Sequence, residues 1–296
     1  MKKEELLQGI QAGKYDEMLV KLYGQEALTA QKQRYSQAVE KFATLYPERG
    51  DMEVFSAPGR TEVCGNHTDH QHGKVLAAAI NLDAVAVVGF HEDGVIRLHS
   101  EGYPAITVEL SDLAINEAEH GTTKALIRGM AAQFADKGVK IGGFDAYVTS
   151  DVLGGSGLSS SAAFEVLIGT ILDIHYNKGA VGAVDIAKMG QFAENKYFGK
   201  NCGLMDQMVS SVGGFVFIDF ADPTKPVIDK HVCDFAAAGI SLCITDTKGS
   251  HADLTADYVS IPVEMKSVAA HFGKEVLHEV AEADFFAEIG ALRGKV

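Results

Sequence analysis

The sequence predicts an α+β fold, and three observations carry that prediction. Residues 3–47 place apolar side chains at helical spacing among many charges. From Val54 the texture changes to short β-like runs. Further on, helices and strands alternate irregularly, with no low-complexity linker and no internal repeat. That irregularity favours α+β over a doubly wound parallel sheet.

Taken in order, Leu6, Ile10, Met18 and Leu22, then Val39, Phe42 and Leu45, predict two amphipathic helices divided near Gly24 and ended by Pro47 and Gly50. VFSAP, VLAAAI, AVAVVGF and VIRLHS predict strands, with Asp93 and Gly94 as a hairpin turn. A helix is expected over 124–135, closing near Gly138, and a strand over 144–150 that runs into a Gly/Ser loop. Helices follow over 161–175 and 184–197. GGFVFIDF, VIDKHVCDF and ISLCITDT read as strands, and 263–272 and 281–292 as helices.

The chain of 296 residues is 47% hydrophobic and 22% charged, enough apolar content to bury a core. Its formal net charge is -14 and no stretch concentrates Lys and Arg, which argues against a nucleic-acid or anionic-membrane partner. Cys64, Cys202, Cys233 and Cys243 are widely spaced and form no CxxC pair. A disulfide framework or zinc site is therefore not expected, and a reducing cytoplasm is the natural location. The N-terminus lacks the apolar run of a signal peptide, and no uncharged stretch has transmembrane length. Nothing in the sequence signals an oligomeric state.

The most informative local feature is LGGSGLSSSAAFEV, residues 153–166. Gly154, Gly155 and Gly157 let the backbone approach an anion and turn its N–H groups inward. Ser159, Ser160 and Ser161 can cap the following helix, bind phosphate oxygen or ligate Mg²⁺. The helix N-terminus adds the positive end of its dipole. No Lys precedes the serines, so this is not a Walker A loop, and the dinucleotide fingerprint is absent. Taken alone, the run reads almost as well as a plain N-capped helix after a turn.

LGGSGLSSSAA resembles the PxGxGLSSSAA phosphate-binding motif of the GHMP small-molecule kinases, with Leu153 where Pro is usual. PGRTEVCGNHTDHQHG, residues 58–73, resembles the galactokinase signature GRVNLIGEHTDYNGG, and AENKYFGKNCGLMDQ, residues 193–207, resembles that family's AEN…CGIMDQ segment. The three segments stand in family order within residues 54–220. The resemblance implies a ribosomal protein S5 domain 2-like N-terminal domain over residues 1–210 and part of a ferredoxin-like domain over 211–296. It implies an ATP-dependent sugar 1-kinase that converts galactose to galactose 1-phosphate, with Mg²⁺ as cofactor and a small-molecule sugar and ATP as partners.

Carried over by position, the resemblance places Asp206 beside the sugar C1 hydroxyl, as acceptor of its proton or as its orienter. Arg60 lies beside that carboxylate and the γ-phosphate. Asn66, His67, Asp69, Gly203 and Tyr258 join Asp206 around the sugar. Gly154, Gly155, Ser156, Gly157, Leu158, Ser159, Ser160 and Ser161 line the ATP phosphates, and Ser160 and Glu194 match the Mg²⁺ ligands.

Each residue also has a blander use. Arg60 could be a surface charge, Asp206 a helix N-cap ahead of 207–211, and Glu194 a solvated helix residue. His67, Asp69, His70 and His72 could form a loop metal site, a reading the kinase match displaces. Cys64 and Cys202 are expected to be buried small side chains near the site.

The sequence departs from the family at Asn66, where Glu is usual, at Glu62 for Asn, and at His70 and His72. Asn66 can donate and accept but carries no charge, which keeps another hexose, such as an N-acetylated or deoxy sugar, in view as substrate. A non-catalytic sugar- and ATP-sensing regulator is the other alternative, although its kind tends to alter the phosphate loop that is intact here. Nothing resembles the family's third, GGGF-like motif before Val296, so a shortened galactokinase is expected.

Overall fold

A computed structural model describes residues 1–152, 154–233, 235, 237–245 and 255–293, with side chains at 255–259 left aside. Its centre is a mixed sheet organised on one long strand, β2 (Lys74–His91). On one side β2 pairs antiparallel with β1 (Glu53–Cys64) over nearly its whole length. On the other side it pairs first with β6 (Phe215–Asp219) and then with β5 (Gly143–Ser150), both antiparallel. The Gly/Ser loop leaves the end of β5 beside the stretch of β2 between these two partners, where the Asp151 N–H donates to the Asp83 carbonyl at 2.9 Å.

Beyond β5 lie β3 (Val95–Ser100), parallel to it, and β4 (Ile106–Glu109). Beyond β6 lies β7 (Val227–His231). The two runs VLAAAI and AVAVVGF are therefore one strand, uninterrupted because Asn81 to Asp83 continue the extended backbone. Asp93 and Gly94 do not close a hairpin, because β5 inserts between β2 and β3. The turn is locally sound, with the Val95 N–H donating to Asp93 Oδ1 at 3.1 Å, but a two-residue signal cannot report which strand comes to lie beside it.

β2 reads AVAVV because both of its faces are covered there. Ala84, Ala86 and Val88 pack with Ile127, Met130 and Phe134 of α4 (Thr123–Asp136) and Leu167, Ile168 and Ile171 of α5 (Ser160–Asn177). Val87, on the opposite face, packs with Phe42, Val39 and Leu6. Burying a side chain such as Phe42 fully contributes roughly 1.5–3 kcal/mol.

The N-terminal region forms three helices instead of two: α1 (Lys3–Gln11), α2 (Asp16–Tyr23) and α3 (Leu28–Leu45). Gly13, at φ 80°, starts the extra break. These helices are fastened to the sheet at Asp83, which is buried. Arg34 Nη1 donates to its Oδ1 at 2.7 Å, the Tyr23 hydroxyl donates to its Oδ2 at 2.6 Å, and Ser56 also donates to it. Arg34 also pairs with Asp151 at 3.1 Å, so one guanidinium ties α3 to the start of the Gly/Ser loop.

After α5 come α6 (Ala183–Phe192), a π-helical turn over Ala193–Phe198 and α7 (Met205–Val212). Met205, Met208 and Val209 of α7 pack on Val75 and Ala77 of β2 and on Val216 and Ile218 of β6. The sheet thus runs on past residue 210, through β6 and β7. Of the expected strand ISLCITDT, residues 240–245 have no strand pairing and 246–247 lie outside the described residues. Two helices close the described chain, α8 (Thr255–His271) and α9 (Glu282–Leu292). None of the helices among the described residues is long and apolar enough to cross a membrane.

Candidate active site

Arg60 sits in the middle of β1, where a shift in register turns it toward the Gly/Ser loop, and it is 7% exposed. Its guanidinium grips Asp206 with both prongs, Nε to Oδ1 at 2.8 Å and Nη2 to Oδ2 at 3.0 Å. Nη1 donates to the Gly157 carbonyl at 2.7 Å, and the Arg60 backbone N–H donates to Leu158 O at 3.1 Å. One side chain therefore fixes both the carboxylate and the loop, a use of the planar guanidinium that Lys could not reproduce.

Asp206 is the second residue of α7, and Leu204 holds the N-cap position, so the capping alternative is excluded. Burial works against its charge, but the Arg60 guanidinium above all, with His67 and then the Ser159 hydroxyl, outweighs it and holds the carboxyl below the usual range. The Ser159 hydroxyl donates to Asp206 Oδ2 at 2.5 Å. Ser159 precedes α5 in the left-handed region, at φ 60°, and its side chain does not cap the helix. The first N–H groups of α5 are thus left without a side-chain cap, the arrangement that favours an anion.

The sugar-signature loop turns sharply over Gly65, Asn66 and His67, all at positive φ. Glu62 braces this turn, accepting from the His67 N–H at 2.9 and 3.1 Å with its two oxygens. His67 Nε2 then stands 3.3 Å from Arg60 Nη2. Asp69 is buried and accepts from the Met205 N–H at 3.0 Å through Oδ2, which ties the loop to α7. Its Oδ1 is buried without a hydrogen-bond partner. Burial, with Asp206 adding to it, raises the Asp69 carboxyl above the usual range. Gly203 is needed beside it, because a Cβ there would overlap the Asp69 carboxylate.

A second polar cluster lies behind the loop. Glu194 is 3% exposed, so it is no solvated helix residue. Ser161 Oγ donates to its Oε1 at 3.1 Å and Lys200 Nζ stands 3.3 Å from the same oxygen. Gln207 Nε2 donates to Glu194 Oε2 at 2.8 Å and to Glu165 Oε2 at 3.0 Å. Glu165 is fully buried, and burial, with Glu194 nearby, holds its carboxyl well above the usual range.

Arg60, His67, Asp206, Gly157, Leu158 and Ser159 are therefore brought into direct contact, and Asp69 and Gly203 join them through α7. Asn66 is exposed at the turn, and among the described residues its side chain forms no hydrogen bond into the cluster. The hydroxyl that reaches Glu194 is that of Ser161, and Ser160 makes no hydrogen bond to it. Gly154, Gly155 and Ser156 lie in the loop, whereas the Tyr258 side chain is outside the described residues. Cys64 is exposed, contrary to expectation, because the irregular end of β1 turns it outward; Cys202 is partly buried against Gln207. Among the described residues, no group of three or more His, Cys, Asp or Glu is arranged to hold a metal ion. Sequence reasoning did not single out Gln207, Glu165 and Lys200. All three are within or beside the quoted segments, but only the fold brings them to Glu194.

Residues 40–90 match the galactokinase galactose-binding signature and residues 125–214 match the GHMP kinase N-terminal domain. A galactokinase of Streptomyces coelicolor is 34% identical over 258 residues, 86% of this chain and 65% of the relative. One of Actinobacillus pleuropneumoniae is 32% identical over 268 residues, 87% of this chain and 66% of the relative. The fold is similar to that of Lactococcus lactis galactokinase, solved with galactose, with a TM-score of 0.70 at 24% identity over 86% of this chain and 66% of that one. It is also similar to Methanococcus jannaschii mevalonate kinase, with a TM-score of 0.53 at 19% identity over 64% of this chain and 58% of that one. The chain spans less than two thirds of the length of these curated relatives.

Proposed function

The chain belongs to the galactokinase family of the GHMP kinases, and on that premise we propose that it transfers the γ-phosphoryl group of ATP to the C1 hydroxyl of galactose. The observation that carries this reading is the two-pronged Arg60–Asp206 pair, locked to the Gly/Ser loop through Gly157, Leu158 and Ser159. In this reading the carboxylate and the guanidinium are the groups at which an acceptor hydroxyl and a phosphoryl group meet.

In the proposed reaction, Asp206 orients the C1 hydroxyl and takes its proton as the O1–Pγ bond forms and the bond from Pγ to the β,γ-bridging oxygen breaks. ADP leaves with that oxygen, and galactose 1-phosphate carries the phosphoryl group. Arg60 keeps Asp206 ionised and offsets charge on the transferring group. Asp69, through its unpartnered Oδ1, and His67 read sugar hydroxyls, with Asn66, Gly203 and Tyr258 completing that side. Residues 154–161 cradle the phosphates with loop amides and the uncapped start of α5.

The buried Glu194 carboxylate beside the serines at the head of α5 is a hard-oxygen donor set that suits Mg²⁺, with Ser160 and Glu194 the assigned ligands and Ser161 at hand. When bound with nucleotide, the ion supplies charge neutralisation on the phosphates. The partners are a small-molecule sugar and ATP, with no nucleic acid or membrane, and the location is the cytoplasm.

ADP release measured over a panel of galactose, glucose, N-acetylgalactosamine and deoxygalactose tests the proposal. Galactose is expected to turn over fastest. Binding of sugar and nucleotide without ADP release would replace the kinase by a sensor, and preference for another sugar would move the substrate assignment to Asn66.

A further inference from the structure

Lys200 is the one cation that reaches Glu194 among the described residues, and the backbone is shaped to deliver it there. The π-helical turn Ala193–Phe198 ends α6 irregularly, a deviation that recurs at functional sites. Gly199, at φ 82°, reverses the chain, and the Lys200 N–H closes back onto the Glu194 carbonyl at 3.1 Å. The Cys202 N–H donates to Asn195 Oδ1 at 2.8 Å, which pins the segment that follows. Lys200 and Glu194 thus meet through both main chain and side chain.

The two carboxylate oxygens of Glu194 are used differently. Oε2 is tied down by the buried Gln207 amide. Oε1 faces Ser161 and Lys200, on the side of the Gly/Ser loop. A carboxylate that is 3% exposed needs a counter-charge, and here the charge is an ammonium whose side chain remains 50% exposed. Lysine suits this use because its point charge rides on a flexible stem and can leave without disturbing the packing. A divalent ion coming to Oε1 would stand within a few ångströms of that ammonium, and the two like charges cannot share the oxygen.

We propose that Lys200 is the resident counter-cation of Glu194, holding the carboxylate in place before metal and nucleotide arrive and competing with the divalent ion for Oε1. The inference rests on the proposed role of Glu194 as a metal donor. Lys200 is a positioning residue here: it lowers the divalent affinity of the site and keeps Glu194 pointed at the loop when no ion is bound.

The test is a Mn²⁺ titration of the 296-residue chain, followed by electron paramagnetic resonance with and without a non-hydrolysable ATP analogue. Lys200→Met is expected to bind Mn²⁺ about fivefold more tightly, the equivalent of losing one partly exposed ion pair. Lys200→Arg, which restores a cation, should return toward wild type, and Lys200→Gln should behave as the Met variant. Glu194→Gln should weaken Mn²⁺ binding and erase the effect of Lys200→Met in the double variant. Unchanged or weaker Mn²⁺ binding by Lys200→Met, with Glu194→Gln still impaired, overturns the competition and leaves the metal assignment standing. Weaker binding of the nucleotide analogue alone would make Lys200 a phosphate contact and likewise overturn it. Mn²⁺ binding indifferent to Glu194→Gln overturns both the competition and the assignment beneath it.

Discussion

Residues 53–212 and residues 227–293 dispose of their side chains in opposite ways. In the first region charged and polar groups are buried and paired: Arg60 with Asp206, Asp69 with the start of α7, and Glu194 with Gln207 and Ser161. In the second, large apolar side chains face outward, with Val232 97%, Val263 63% and Phe286 58% exposed. Buried polar groups are costly unless every partner is in place, so the first region has little freedom to rearrange. Among the described residues the second reaches the sugar-signature loop through α8, which lies against Thr68–Gln71, and through the Leu277 N–H, which donates to Gln71 Oε1 at 3.1 Å. The phosphoryl-transfer groups proposed for this chain all come from the first region, with Tyr258 the one proposed sugar contact from the second, and substitutions in the two regions should differ in effect.

The largest loss of stability is expected for Arg34→Ala. It leaves the buried Asp83 without its cation and frees α3 from both the sheet and the base of the Gly/Ser loop. Breaking one side of such a pair costs about 3–5 kcal/mol, to be read by urea denaturation. Gly203→Ala follows, at about 1–3 kcal/mol, because the new methyl must push Asp69 aside. Isothermal titration calorimetry should show galactose affinity falling more than nucleotide affinity; an equal loss of both would show that the change is not local to the sugar side.

A smaller and opposite effect is expected for Glu165→Gln. Burial raises the Glu165 carboxyl well above its ordinary range, so the folded chain keeps the proton that the unfolded chain releases. Its contribution is complete below the ordinary carboxylate pKa and is lost as pH rises toward the raised value. Thermal melts taken at rising pH above the ordinary carboxylate range should therefore show wild-type stability declining more than that of the Gln variant. The variant should melt a few degrees higher at the alkaline end. Smallest of all, Phe286→Ser on α9 should shift stability by less than about 0.5 kcal/mol, since more than half of the residue is already exposed and the ring contact it gives up is with its neighbour Phe285. A large loss there would mean that the second region is packed more tightly than its exposure indicates.

Much of the first region was legible in the sequence because its signals are local. The Gly/Ser run, Arg60 and Asp206 lie within short segments whose residue types already state their chemistry, and helices α4 and α5 follow from apolar spacing. What the sequence could not show was long-range. The place of β5 between β2 and β3, which undoes the Asp93–Gly94 hairpin, is decided by pairings some 50 residues apart. The break at Gly13 and the outward turn of Cys64 depend on what packs beneath them. Gln207 and Glu165 carried no signal of their own, because a Gln in one helix and a Glu in another become partners only when α5, α6 and α7 meet.

The most direct test of the Arg60–Asp206 assignment is galactose-dependent ADP release by Asp206→Asn, measured beside the binding of galactose and a non-hydrolysable ATP analogue to the same variant. Asn preserves the shape but cannot take the hydroxyl proton or fully answer the Arg60 charge. Turnover should fall by roughly 10²- to 10⁴-fold, while both ligands bind within a few-fold of wild type. Turnover at the wild-type rate with both ligands bound would contradict the assignment of Asp206 as the group that receives the C1 proton.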